Sequence, residues 1–111
     1  MSRSKFVTVI LSLLIASAAC AESIDVYLGT YTGGPDSSKG IYRSTLELET
    51  GELSDPTLVA EIRNPTFIEI HPTGAFLYAV SEVGPAGTVS AYAIDRKTGN
   101  LTRLNDQPSG G

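Results

Sequence analysis

The sequence predicts an all-β fold built from repeated four-stranded units, a β-propeller, and three observations carry that prediction. The run Ile41–Leu53 returns 48 positions later as Val89–Leu101, with Ile41/Val89, Leu46/Ile94 and Leu53/Leu101 matched as apolar positions, Glu47/Asp95 as acidic ones, and Thr50-Gly51/Thr98-Gly99 as turns. A second pair, Val26–Thr30 and Leu77–Ser81, repeats at a spacing of 51, the difference being absorbed by the looser Gly33–Lys39 loop. Finally, a period of about 40–50 residues made of short strands belongs to propeller blades, which bury a core only by stacking on one another. Rings close with about 4–8 blades. Two copies are present here, so the chain reads as the N-terminal part of a larger ring.

The first elements are not part of that repeat. Arg3 and Lys5 precede the apolar run Phe6–Ile15, and Ala16-Ser17-Ala18-Ala19 follows. A positive start, a short apolar run and small residues form the layout of a secretory leader. The expected boundary leaves residues 1–21 as leader and 22–111 as mature chain, with cleavage after Ala19-Cys20-Ala21 or, alternatively, after Ala16-Ser17-Ala18. The apolar run is shorter than the roughly 20 residues a membrane span needs. The expected location is periplasmic or secreted. Ser17-Ala18-Ala19-Cys20 is similar to a bacterial lipoprotein box but carries Ser17 where a large aliphatic residue is usual, so a lipid anchor at Cys20 is the disfavoured alternative. Cys20 is the single cysteine, which excludes an intrachain disulfide.

After the leader, alternation and β-branched or aromatic enrichment predict strands over 24–30, 40–48, 57–62, 66–71, 76–81, 88–94 and 101–104. Gly33-Gly34-Pro35-Asp36, Thr50-Gly51, Asn64-Pro65, His71-Pro72-Thr73-Gly74, Gly84-Pro85-Ala86-Gly87 and Thr98-Gly99-Asn100 supply the turns between them. The second unit holds four strands, a to d. The first begins at the equivalent of strand b, and a closed ring would draw the missing strand from the far end of the chain. In an antiparallel meander the b–c and d–a connections share one rim, and the a–b and c–d turns share the other. The longer, glycine-rich loops gather on the first rim, where function usually resides.

Composition removes several function classes. Twelve acidic residues against eight basic ones give a formal charge of −4, which becomes −6 once Arg3 and Lys5 leave with the leader. Nothing here suits a nucleic-acid partner. There is no Gly-x-Ser-x-Gly elbow, no phosphate-binding glycine loop leading into a helix, and no Cys/His cluster with zinc spacing. No cofactor and no metal are expected.

Asn64-Pro65-Thr66-Phe67-Ile68-Glu69-Ile70-His71-Pro72-Thr73-Gly74-Ala75-Phe76-Leu77-Tyr78-Ala79-Val80-Ser81-Glu82 resembles the seven-bladed β-propeller lactonase family, which includes propeller-type 6-phosphogluconolactonases and carboxymuconate cyclases. Tyr27–Thr32 and Pro108-Ser109-Gly110-Gly111 fit the same family. The resemblance covers Ile24–Gly111 but only about the first third of a typical member. It implies a hydrolase that opens a sugar lactone ring, a small-molecule lactone as partner, polar groups on one propeller face near the central channel, and a full-length monomer. In the family a Pro-x-His segment follows the Gly-Gly pair, and its histidine, a leading site candidate, would fall beyond Gly111.

Lactone hydrolysis needs a base for water and donors for the developing oxyanion. Glu82 follows strand b on the long-loop rim and matches the acidic position of the family's strand-b motif, which marks it as the candidate catalytic residue. The same position also suits a solvated loop carboxylate. Tyr31 and Thr32, one unit earlier, precede a Gly-Gly loop where backbone can approach a ligand, and Asn64 offers an amide at the rim; these are the candidate substrate-binding residues. Arg63 could meet an anionic ligand. His71, the single histidine, falls on the tight-turn rim and is expected to be structural.

The leading expectation is an exported sugar lactonase, with residues 22–111 too short to be competent alone. Because phosphogluconolactone arises in the cytosol, an unphosphorylated aldonolactone suits an exported protein better. A non-catalytic periplasmic binding propeller and a muconate-lactonising cyclase are the alternatives.

Overall fold

A computed structural model describes residues 22–110. The expected leader, Cys20 and Gly111 lie outside the described residues. The rest is strand and loop: β1 (Ser23–Leu28), β2 (Gly40–Glu47), β3 (Thr57–Glu61), β4 (Ile68–Ile70), β5 (Phe76–Ser81), β6 (Thr88–Ile94) and β7 (Leu101–Pro108). They form two antiparallel meanders, β1-β2-β3 and β4-β5-β6-β7. Among the described residues the first sheet has no counterpart of β4.

The two repeat spacings reappear as a shared register. Val26 faces Ser44 and Tyr27 faces Arg43 in the first sheet, while Leu77 faces Tyr92 and Tyr78 faces Ala91 in the second. The c–d turns are also the same structure twice. Gly51 donates its N–H to the Glu47 carbonyl at 2.8 Å, and Gly99 donates to the Asp95 carbonyl at 2.7 Å.

β4 and β7 differ from the sequence expectation, each for a local reason. β4 is shorter because Thr66 is drawn into a tight turn, its N–H bonded to the Asn64 carbonyl at 2.8 Å. β3 starts at Thr57 as expected, since Pro56 before it has no N–H to give a ladder. A Leu46–Leu53 bridge and a Ser54 N–H bond to Thr45 carry the pairing before it. β7 runs on to Pro108 because Asn105, Asp106 and Gln107 pair with Ala91, Ser90 and Val89. As the last strand of its sheet it has one neighbour, so polar side chains can face water.

The sheets pack on each other through Ile41 and Leu77, both fully buried, with Ala79 and Tyr92 almost so; Tyr27, Val59, Ile68 and Ile94 close around them. Period-two alternation puts Leu77, Ala79 and Ser81 on one side of β5. The seam has a polar end at the tight-turn rim. The Tyr27 hydroxyl donates to the Gly99 carbonyl at 2.6 Å, beside an Arg43–Asp25 ion pair of 2.8 Å. Burial, then the charge of Asp25, pushes the Tyr27 phenol above its ordinary value, with Arg43 opposing. Gly99 has φ +77°, and a Cβ there would sit 2.5 Å from Arg43 Cδ. At the other rim a Cβ on Gly29 would run into the Pro65 carbonyl oxygen.

Candidate functional site

The long-loop rim is built from three connections: the β1–β2 loop (29–39), the β3–β4 segment (62–67) and the β5–β6 loop (82–87). Asn64 ties them together. Its φ of 45° lies in the left-handed region, which asparagine tolerates better than most residues because its short polar side chain bonds locally. That backbone turn points the amide across the seam. Asn64 Oδ1 accepts from the Thr32 N–H at 2.7 Å and from the Thr32 hydroxyl at 3.2 Å, while the Asn64 N–H donates to Thr32 Oγ1 at 3.1 Å. On its other side Nδ2 donates to the Glu82 carbonyl at 3.0 Å. Three of the four residues singled out in the sequence therefore form one hydrogen-bonded chain, Thr32–Asn64–Glu82.

Glu82 is gripped at every polar group of its backbone. Its N–H donates to the Asn64 carbonyl at 3.1 Å, and its carbonyl takes the Asn64 amide. Its carboxylate is held too, because the Thr66 hydroxyl donates to Oε2. The other carboxylate oxygen has no protein hydrogen bond among the described residues, and the residue is exposed at the rim. Beneath it the Ser81 hydroxyl, buried, donates to the Arg63 carbonyl.

Tyr31 behaves differently. It is 76% exposed and stands out from the loop into solvent next to the clasped Thr32. Asn64 has one Nδ2 hydrogen outside the clasp, so its capacity to meet a ligand is a single donor. An open groove of about 500 Å³ lies between the 32–39 loop and Glu61–Arg63. Its glycine wall is internally fixed, with Ser37 Oγ accepting from the Gly33 N–H at 3.0 Å and the Gly34 N–H at 2.8 Å. Lys39 and Arg63 both line this groove, and neither forms an ion pair among the described residues.

His71 lies at the other end of β5, in the β4–β5 turn. Its Nδ1 accepts the Thr73 N–H at 3.2 Å and meets the Thr73 hydroxyl at 2.9 Å, and its ring edge packs against Phe76 at 5.8 Å. Arg96 reaches the same turn through the Thr73 carbonyl. Among the described residues no cluster of three His, Cys, Asp or Glu is placed to hold a metal, and no helix is long and apolar enough to cross a membrane. Thr66 and Ser81 were not singled out from sequence. A threonine after proline at a strand start reads as a β-former, and only its contact with Glu82 reveals more.

The model of the family described as lactonase, 7-bladed beta-propeller, matches residues 25–111. The 6-phosphogluconolactonase of Bacillus subtilis is 42% identical over 81 residues, covering 73% of this chain and 23% of that protein. A solved Bacteroides uniformis structure, provisionally assigned as a 6-phosphogluconolactonase, superposes with a TM-score of 0.72 at 39% identity over 80% of this chain and 25% of its own. The periplasmic gluconolactonase of Pseudomonas aeruginosa gives 0.70 at 26% identity, over 77% and 24%. The chain thus spans about a quarter of the length of these relatives.

Proposed function

This chain belongs to the seven-bladed β-propeller lactonase family, and from that premise we propose that the full-length protein is an exported hydrolase of a sugar lactone, with Glu82 as its acid/base group on the long-loop rim. The observation that carries the reading is the clasp around Glu82. A carboxylate on a loop is ordinarily a free, solvated group, whereas this one is held at N–H, carbonyl and Oε2 by a segment that also fixes Thr32.

Such a group has the parts the chemistry needs. Glu82 takes a proton from water as the water oxygen bonds to the lactone carbonyl carbon. The tetrahedral intermediate then breaks its bond to the ring oxygen, which receives that proton, leaving the open hydroxy acid. Tyr31 and the remaining Nδ2 hydrogen of Asn64 are donors for substrate hydroxyls or the oxyanion. The chain's own share of the site is one part of a ring, and residues 22–111 alone are not expected to turn over substrate.

An unphosphorylated aldonolactone is the substrate this reading favours. The leader-like residues 1–21 support it, as does likeness to the periplasmic gluconolactonase of Pseudomonas aeruginosa. A phosphorylated lactone is the second reading, favoured by Lys39 and Arg63 converging on one groove. The test compares kcat/KM of the full-length protein on gluconolactone and 6-phosphogluconolactone, above spontaneous hydrolysis. Preference for gluconolactone upholds the first reading. Preference for the phosphate ester, lost in Lys39→Gln/Arg63→Gln, upholds the second. No acceleration of either, with tight sugar binding, would identify a non-catalytic propeller, and turnover of muconates alone a cyclase.

A further inference from the structure

We propose that Thr66 is a positioning residue for Glu82, its hydroxyl aiming the carboxylate so that one oxygen stays available to substrate. This rests on the reading of Glu82 as the acid/base group. A glutamate side chain has substantial rotamer freedom to lose on being fixed, and Glu82 is exposed, so packing does not fix it. The two backbone bonds to Asn64 set where its Cα lies but leave the carboxylate free to swing. Thr66 supplies the missing restraint by donating to Oε2. An O–H donor to a carboxylate is a charge-assisted bond and stronger than a neutral pair.

The donor is itself held rigidly. Pro65, with φ locked by its ring, is fully buried in the seam, and the Thr66 N–H returns to the Asn64 carbonyl at 2.8 Å. The first sheet closes over this segment at Gly29, where there is no room for a side chain against the Pro65 carbonyl. β-Branching leaves Thr66 few χ1 choices. The hydroxyl is therefore a fixed point on the seam between the two sheets, and the carboxylate is referred to that point rather than to its own loop. Thr66 bonds Oε2 alone, which leaves the other oxygen to accept a proton from water.

The experiment uses the full-length protein with gluconolactone, or 6-phosphogluconolactone if that is the better substrate. Thr66→Ser keeps the hydroxyl and removes the methyl, and Thr66→Ala removes both. Misplacing a reacting group by about 1 Å can cost about 10²-fold, and partial loss of aim predicts a fall in kcat of about tenfold or more for Thr66→Ala, with KM within about twofold and Thr66→Ser close to wild type. In a Glu82→Gln background Thr66→Ala should add no further loss, since the group it aims is already gone. Equal loss in Thr66→Ser and Thr66→Ala, or additive loss in the double variant, would overturn the inference in favour of packing. Wild-type kcat in Thr66→Ala with Glu82→Gln impaired would overturn it while leaving the acid/base reading intact. A silent Glu82→Gln would remove that reading and the inference with it.

Discussion

Gly51 and Gly99 occupy the same place in the two c–d turns and have nearly the same backbone, φ +78° and +77°, yet their surroundings are opposite. A Cβ on Gly51 would meet nothing within 4 Å, while one on Gly99 would lie 2.5 Å from Arg43 Cδ and 2.8 Å from both Arg43 Nη1 and Asp25 Oδ2. Alanine at either site bears the left-handed backbone cost of about 1–2 kcal/mol. At Gly99 it must also displace the ends of the Arg43 and Asp25 side chains beside the turn, and the shift loosens the Tyr27 hydroxyl bond to the Gly99 carbonyl, a loss of up to about 0.5–1.5 kcal/mol. The Arg43–Asp25 pair is displaced as well; its side chains are 25% and 32% exposed, so it adds at most about 1 kcal/mol. Gly99→Ala should therefore destabilise the full-length protein by about 1–2 kcal/mol more than Gly51→Ala. Urea midpoints of the two variants, compared at equal slope, measure that difference. Equal destabilisation would refute the argument that the seam is anchored at this turn.

Three further outcomes follow from the same geometry. Burial holds the phenols of Tyr27 and Tyr92 above their ordinary value, with Asp25 adding at Tyr27 while Arg43 and Arg103 partly oppose. Unfolded tyrosines ionise from about pH 10, so the unfolded chain sheds these protons first, and stability present below that pH falls as pH rises through it. Melting temperatures across that range should drop less steeply for Tyr92→Phe than for wild type, and parallel curves would contradict this. Residues 22–111 expressed alone should not form a stable monomer, because β1 has a free edge and Ile24, Leu28 and Phe67 are exposed; sedimentation showing a monomer with a sharp melt would count against it. If the proposed export is right, mass spectrometry of the protein isolated from its native cells should find an N-terminus within Ala19–Glu22, and a form retaining Met1 would exclude the leader.

Much of the fold was legible because its repeat is written in residues that do local work. Thr50-Gly51 and Thr98-Gly99 mark the same turn, and alternation in Leu77–Ser81 marks the buried side. Parity of an antiparallel meander then placed Thr32, Asn64 and Glu82 on one rim and His71 on the other without any knowledge of contacts. What the sequence concealed depends on partners. Asn105-Asp106-Gln107 is too polar to read as strand, and becomes one only because β6 offers a ladder. The left-handed turn at Asn64 sends its amide into the Thr32 loop rather than outward, and nothing in Asn-Pro announces that direction. Thr66 is invisible for the same reason: its role exists only through Glu82, sixteen residues away.

The claim that chemistry belongs to the long-loop rim is tested most directly by kcat/KM of the full-length protein carrying Glu82→Gln or His71→Ala. Loss of a positioned acid/base group predicts a fall of about 10²-fold or more for Glu82→Gln, with the melting temperature nearly unchanged because the residue is exposed. His71→Ala loses the Thr73 bonds and the Phe76 contact, and should melt lower while keeping its kcat/KM. A folded His71→Ala protein without activity, beside an unimpaired Glu82→Gln, would place the chemistry on the opposite rim and contradict the account.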